Sequence, residues 1–327
     1  MPLSFANFTS MTSMITLSEL SFEPDELGEG FERAFVELGT DPDGETPIRF
    51  TLVRYAPEEL DGRPALFFVH GMTDYFFQAH VARYFHELGY AIYGVDLRKC
   101  GRSWRPGQTW HHVSSQSLYD AELSLTLRLL ADQHPKVVAV GHSTGGLDVT
   151  MWAARLRVQD PELHARLSGV MLNSPWFALQ FDPVTKAIVS HVFPILAKRA
   201  PMLRVPGGIN PAYGRSLHAS EHGEWDYNLE FKPLEPRPKY VSWLAGVMSE
   251  IKELQSGRYD TGVPTLLLCS DNADIILNPA QMRENAHNAH PETEVVVLPG
   301  ALHDVFLSPE QVRTSALEHA ARWLETI

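Results

Sequence analysis

Short, largely apolar runs recur along the chain, at Ala65–Val69, Tyr90–Val95, Lys136–Val140, Leu167–Leu172, Pro264–Cys269 and Glu294–Leu298. A run of that length, apolar at successive rather than alternate positions, is expected of a strand buried on both faces. Helix-like segments separate most of them, at Ser117–Asp132, Thr144–Arg155 and Pro279–His290, and the tail Pro309–Ile327 reads as an amphipathic helix. Such alternation predicts a mostly parallel sheet covered on both sides. Upstream, Phe31–Leu38 and Arg49–Tyr55 flank the turn signal Asp41-Pro42-Asp43-Gly44 and predict a β-hairpin. The sheet should therefore have eight strands. Residues 1 to about 28 read as an arm packed on the surface.

One interval breaks the rhythm. About 90 residues separate Leu172 from Pro264, too many for a structureless connection. They are rich in Pro, Trp, His and Gly, with helix-like pieces near 186–198 and 239–255. An inserted helical cap after the sixth strand is expected. The chain then divides into a core with its arm at 1–174, the cap at 175–262, and the rest of the core at 263–327.

The most informative segment is Val137-Val138-Ala139-Val140-Gly141-His142-Ser143-Thr144-Gly145-Gly146. A buried strand runs into Gly-x-Ser-x-Gly and then into a helix. A serine on so sharp a turn projects its hydroxyl above the sheet, and the small neighbours admit the strained backbone. The helix N-terminus adds amide N–H groups and positive dipole where an oxyanion would form. A glycine-rich turn with a surface serine is the plain alternative; the strand-turn-helix context favours Ser143 as a nucleophile.

A serine hydroxyl needs a neutral imidazole in reach. Among 15 histidines, His303 stands out by position, in Leu298-Pro299-Gly300-Ala301-Leu302-His303-Asp304, after the last apolar strand and before the last helix. Catalytic groups of open α/β sheets gather at the carboxyl ends of strands. The acid should follow the preceding strand, where Ser270-Asp271-Asn272-Ala273-Asp274 offers two aspartates. Asp274 is favoured, because it lies far enough along the loop to reach across. Asp271 sits nearer the strand end, where it could instead cap the turn. A second oxyanion donor is expected after the first buried strand, in Val69-His70-Gly71-Met72. Gly71 allows close approach and leaves the Met72 N–H to pair with that of Thr144; His70 reads as a structural residue beneath them. Tyr75, Phe76, Phe77, Trp176 and Phe177 flank the site in sequence and are candidates either for core packing or for an acyl pocket.

Four segments carry a family resemblance: His70-Gly71, Asp96-Leu97-Arg98-Lys99-Cys100-Gly101-Arg102-Ser103, Gly141-His142-Ser143-Thr144-Gly145-Gly146, and Gly300-Ala301-Leu302-His303-Asp304. In this order the chain resembles the monoacylglycerol lipase and lysophospholipase branch of the α/β-hydrolases, often labelled serine aminopeptidase-like. Gly214-Arg215-Ser216-Leu217-His218 and Gly223-Glu224-Trp225-Asp226-Tyr227-Asn228 resemble a bacterial subgroup of lysophospholipase-like hydrolases. Cys100 departs from the family pattern, where a histidine often stands. The resemblance implies a serine hydrolase of monoacyl-lipid-like carboxylic esters, working through an acyl-enzyme without a cofactor. A peptidase, thioesterase or C–C bond hydrolase on the same residues is the alternative within catalysis. A ligand-binding protein of the same fold is the alternative outside it.

Charge and composition narrow the partners. The net charge of −13 argues against nucleic acid, which calls for a basic face. No apolar run approaches the roughly 20 residues that span a bilayer, and Met1-Pro2-Leu3-Ser4-Phe5 is unlike a signal peptide, so a cytoplasmic protein without a stable membrane anchor is expected. Two cysteines, Cys100 and Cys269, are no disulfide framework. His218-Ala219-Ser220-Glu221-His222 matches a metalloprotease spacing, but Gly223 follows at once, and no metal site is expected.

Overall fold

A computed structural model describes residues 15–206, 210–235 and 237–327; residues 1–14 of the expected arm, and 207–209 and 236 of the expected cap, lie outside the described residues. The chain runs β1 (Glu23–Pro24), β2 (Phe31–Gly39), β3 (Ile48–Tyr55), β4 (Ala65–Val69), α1 (Ala79–Glu87), β5 (Ala91–Asp96), α2 (Asp120–Ala131), β6 (Val137–His142), α3 (Thr144–Gln159), α4 (Pro161–His164) and β7 (Leu167–Asn173). Then follow α5 (Pro183–Arg199), β8 (Arg204–Val205), α6 (Pro211–Leu217), β9 (Lys239–Tyr240) and α7 (Val241–Gln255). The chain closes with β10 (Thr265–Ser270), α8 (Pro279–Ala289), β11 (Glu294–Leu298) and α9 (Glu310–Leu324).

Nine strands form the main sheet, in the order β1-β2-β3-β5-β4-β6-β7-β10-β11. The eight expected strands are all present. The ninth, β1, is a two-residue edge on β2, too short to show in a hydrophobic pattern. Strands β2 and β3 are antiparallel, and from β5 to β11 every pairing is parallel. This is the α/β-hydrolase arrangement, with helices on both sides of the sheet.

Strand β4 explains why. Ala65, Phe67 and Val69 point into one core with Leu127 and Trp152, while Leu66 and Phe68 point into the other with Phe85 and Trp323. A strand buried on both faces has no polar alternation to show. The crevice lies between β4 and β6, where the strand order reverses direction relative to the chain.

Between β7 and β10, α5 packs on α7, and β8 pairs with β9 in a separate two-stranded ribbon. Cys100 and Cys269 are buried free thiols. Among the described residues no helix is long and apolar enough to cross a membrane.

Candidate active site

Ser143 sits between the end of β6 and the start of α3 with φ 54° and ψ −118°, a conformation costly for any side chain. Surrounding bonds hold it there. Its N–H donates to the Asn173 carbonyl at 3.0 Å, and its own carbonyl accepts from the Trp176 N–H at 3.0 Å. The turn is tight because the β4 loop presses on it. A Cβ on Gly145 would sit 2.3 Å from the His70 carbonyl oxygen, and one on Gly71 would sit 2.9 Å from the Ser143 Cβ.

Two loops deliver the partners. After β11, His303 places Nε2 2.9 Å from Ser143 Oγ. After β10, Asp274 places Oδ2 2.8 Å from His303 Nδ1. An ionised carboxylate only accepts, so Nδ1 carries the proton and Nε2 is left to accept from the hydroxyl. The other Asp274 oxygen takes the N–H groups of Ile276 (2.7 Å) and Leu277 (3.0 Å). Burial alone would raise this carboxyl; His303 and the two amides outweigh it and hold the group below the usual carboxylate range. Asp271 does not reach the histidine. It accepts from the N–H groups of Ala273 and Gly300, bracing the β10 loop against the β11 loop.

His70 accepts the Leu97 N–H on Nε2 at 3.1 Å, so its proton is on Nδ1, which donates to the Gly71 carbonyl at 2.7 Å. A trans peptide sets its N–H opposite its C=O, so the Met72 N–H faces away from His70. It meets no acceptor among the described residues. Thr144 is the first residue of α3, where N–H groups lack intrahelical acceptors. Met72, Thr144, Ser143 and His303 all line one cavity of about 330 Å³.

Asp304 carries a role that sequence reasoning did not assign. Its buried carboxylate accepts from Asn173 Nδ2 (2.7 Å), Gln78 Nε2 (3.0 Å) and the Phe306 N–H (3.0 Å). Its own N–H donates to the Tyr213 hydroxyl at 2.9 Å. The loop carrying His303 is thereby tied to β7, to the start of α1 and to α6. Burial opposes ionisation of Asp304, but His142, Asn173 and Gln78 hold its carboxyl below the usual range. An acid directly following the candidate base in the chain was the available signal.

Of the five aromatic candidates, Trp176 alone lines the cavity. Phe177 is fully buried in the main core, and Phe76 packs in the second core against Gly94. Tyr75 and Phe77 point the other way and join Tyr213, Leu217 and Tyr227 in a third apolar cluster. The Tyr75 hydroxyl also accepts the Asn228 N–H at 2.8 Å. These side chains attach the β7–β10 segment to the core instead of facing a ligand. Much of the cavity wall comes from residues not singled out beforehand: Leu179, Phe181 and Leu244 among the apolar ones, Asp74, Lys232 and Lys239 among the charged. Residues 219–222 form a turn after His218, which bridges to Trp225 and bonds Ser220 Oγ and the Tyr227 carbonyl.

The family model described as "Serine aminopeptidase, S33" matches residues 61–310. Among solved structures, a soluble variant of the Saccharomyces cerevisiae monoglyceride lipase in complex with a substrate analog is 17% identical. The match covers 93% of this chain and 99% of that one, with a TM-score of 0.66. The Paleococcus ferrophilus monoacylglycerol lipase is 20% identical over 90% of this chain and 98% of its own, at 0.60. A thermostable carboxyl esterase from Bacillus coagulans in complex with glycerol is 14% identical over 92% and 99%, at 0.65. At these identities the likeness is one of fold. Among curated protein sequences none matches this one.

Proposed function

We propose that this chain, which belongs to the serine aminopeptidase S33 family of α/β-hydrolases, cleaves monoacyl-lipid-like carboxylic esters through an acyl-enzyme. The observation that carries the reading is the continuous relay Ser143 Oγ–His303 Nε2 and His303 Nδ1–Asp274 Oδ2, at 2.9 and 2.8 Å. Ser143 attacks the ester carbonyl while His303 takes its proton. Asp274 holds the imidazole in the required tautomer and stabilises the imidazolium. The Met72 and Thr144 N–H groups take the developing oxyanion. His303 returns the proton to the leaving alcohol, and water then repeats the sequence on the acyl-enzyme.

The segment 175–262 acts as a cap. It contributes Trp176, Leu179, Phe181 and Leu244 to an apolar wall suited to an acyl chain. An ester fits this cavity better than a peptide with a free amino terminus. Such a cation calls for an uncompensated carboxylate. Asp74, the one carboxylate lining the cavity among the described residues, is already paired with Lys232 at 2.8 Å.

Each buried methylene contributes about 0.8 kcal/mol, or about fourfold when realised in the transition state. Across p-nitrophenyl esters, kcat/KM should climb from acetyl to medium-chain acyl groups and then fall, and Trp176→Ala should flatten the climb. A flat wild-type profile, or turnover of peptide amides alone, would contradict the lipid-ester reading.

A further inference from the structure

Among the described residues two lysines line the cavity, and one of them has an acidic partner. Lys232 is neutralised by Asp74 at 2.8 Å. Lys239 lines the same cavity, and no carboxylate or carbonyl among the described residues accepts from its Nζ. Elsewhere a buried lysine is matched with acid: Lys99 lies 2.6 Å from Asp41 and 3.0 Å from Glu45. Burial, with nothing to offset it, lowers the Lys239 pKa. The backbone of Lys239 is fixed, because β9 pairs with β8 in a register that sets Lys239 opposite Val205, itself a lining residue.

The charge balance is local. The chain carries a net −13, yet among the described residues the walls of this cavity bear two lysines against one aspartate. An acidic protein that leaves a half-buried lysine without an acidic partner, on the wall of a cavity that also carries Leu179, Phe181 and Leu244, has a site for an anion joined to an apolar body. We propose that Lys239 binds a negatively charged group on the substrate, remote from the scissile carbonyl, and that the preferred substrate is an anionic amphiphilic ester. This rests on the reading of the cavity as an ester site. The charge has two possible sources, a carboxylate at the far end of the acyl chain or a phosphate on the alcohol.

Two matched pairs separate these sources. One compares p-nitrophenyl monoesters of dicarboxylic acids with their methyl-capped, uncharged counterparts. The other compares 1-acylglycerol 3-phosphate with 1-acylglycerol. In one pair the charged member should be turned over with a kcat/KM about tenfold or more higher, the scale of a charge-assisted hydrogen bond. Lys239→Gln should abolish that preference and Lys239→Arg should keep it. Equal or better turnover of the neutral member in both pairs overturns the proposal, as does a preference that survives Lys239→Gln. A binding measurement decides the matter without turnover: octyl phosphate should bind Ser143→Ala more tightly than octanol in calorimetry, and lose that advantage in Ser143→Ala/Lys239→Gln. Equal affinity for the two probes overturns the anion site. Failure of Ser143 to hydrolyse any ester would overturn the function proposed above, and the calorimetry would still report on Lys239.

Discussion

The Nδ1–H of His70 donates to the carbonyl of the next residue, Gly71, at 2.7 Å, and so sets the direction of the peptide that carries the Met72 N–H. The ring is held from behind by the Leu97 N–H at 3.1 Å. Under the proposed mechanism His70 is a positioning residue for one oxyanion donor. Losing such a donor outright costs about 10²–10³ in kcat. His70→Ala should lower kcat for a short ester by up to about 10², with KM within a few-fold of wild type. A change confined to KM in steady-state kinetics would remove this role.

The two aspartates after β10 differ in what they touch. Asp274 holds the His303 ring, whereas Asp271 braces Gly300 and Ala273. Asp274→Asn should cost on the order of 10⁴ in kcat, the scale of losing the orienting carboxylate of a serine triad. Asp271→Asn retains an oxygen acceptor and should stay within about tenfold of wild type. Parallel kinetics on the two variants check this, and the reverse ranking would exchange their assignments.

Two glycines next to Ser143 separate folding from chemistry. A Cβ at Gly145 would collide with backbone, 2.3 Å from the His70 carbonyl oxygen and 2.6 Å from that of Val69. A Cβ at Gly71 would meet the Ser143 side chain at 2.9 Å. Gly145→Ala should therefore destabilise the fold by about 3 kcal/mol or more, the upper range for overpacking. Gly71→Ala should fold but lose most activity, because Ser143 must move. Thermal unfolding and ester turnover, measured on both variants, should sort them in opposite order.

The β4–β6 half of the site was legible in the sequence because its information is local. A buried strand, a Gly-His-Ser-Thr-Gly turn and a helix are contiguous, and the loops carrying Asp274 and His303 each follow their own strand. Asp96, at the end of β5, ties down the loop after it by accepting the Arg102 N–H and reaches the β4 loop by accepting the Phe76 N–H. Of the pocket, only Trp176 was legible. Tyr75, Phe76 and Phe77 adjoin the Met72 loop in sequence, but alternation along an extended chain turns them into two apolar clusters. The walls are supplied instead by Leu179, Lys232, Lys239 and Leu244, whose approach to Ser143 depends on how a distant segment folds back.

Asp148, on α3 one turn beyond Thr144, is fully buried, and its Oδ1 has no partner among the described residues. Burial first, and the nearby acid Glu250 next, push its carboxyl well above the usual carboxylate range, against the pull of Arg155. Unfolded, the group releases its proton near pH 3.9. Above that pH the folded state holds the extra proton, so this residue makes unfolding free energy fall as pH rises, until the folded group also ionises. Asp148→Asn removes this pH dependence. Urea unfolding at pH 5 and pH 8 should show a smaller loss for the variant than for wild type. An equal loss would mean that Asp148 is ionised in the folded protein.

The nucleophile itself is tested most directly by a fluorophosphonate probe with mapping of the modified peptide. The probe should attach once per chain, at Ser143, and Ser143→Ala should show no labelling while remaining folded. Labelling that persists in that variant, or that maps to another residue in the wild type, would contradict the catalytic assignment.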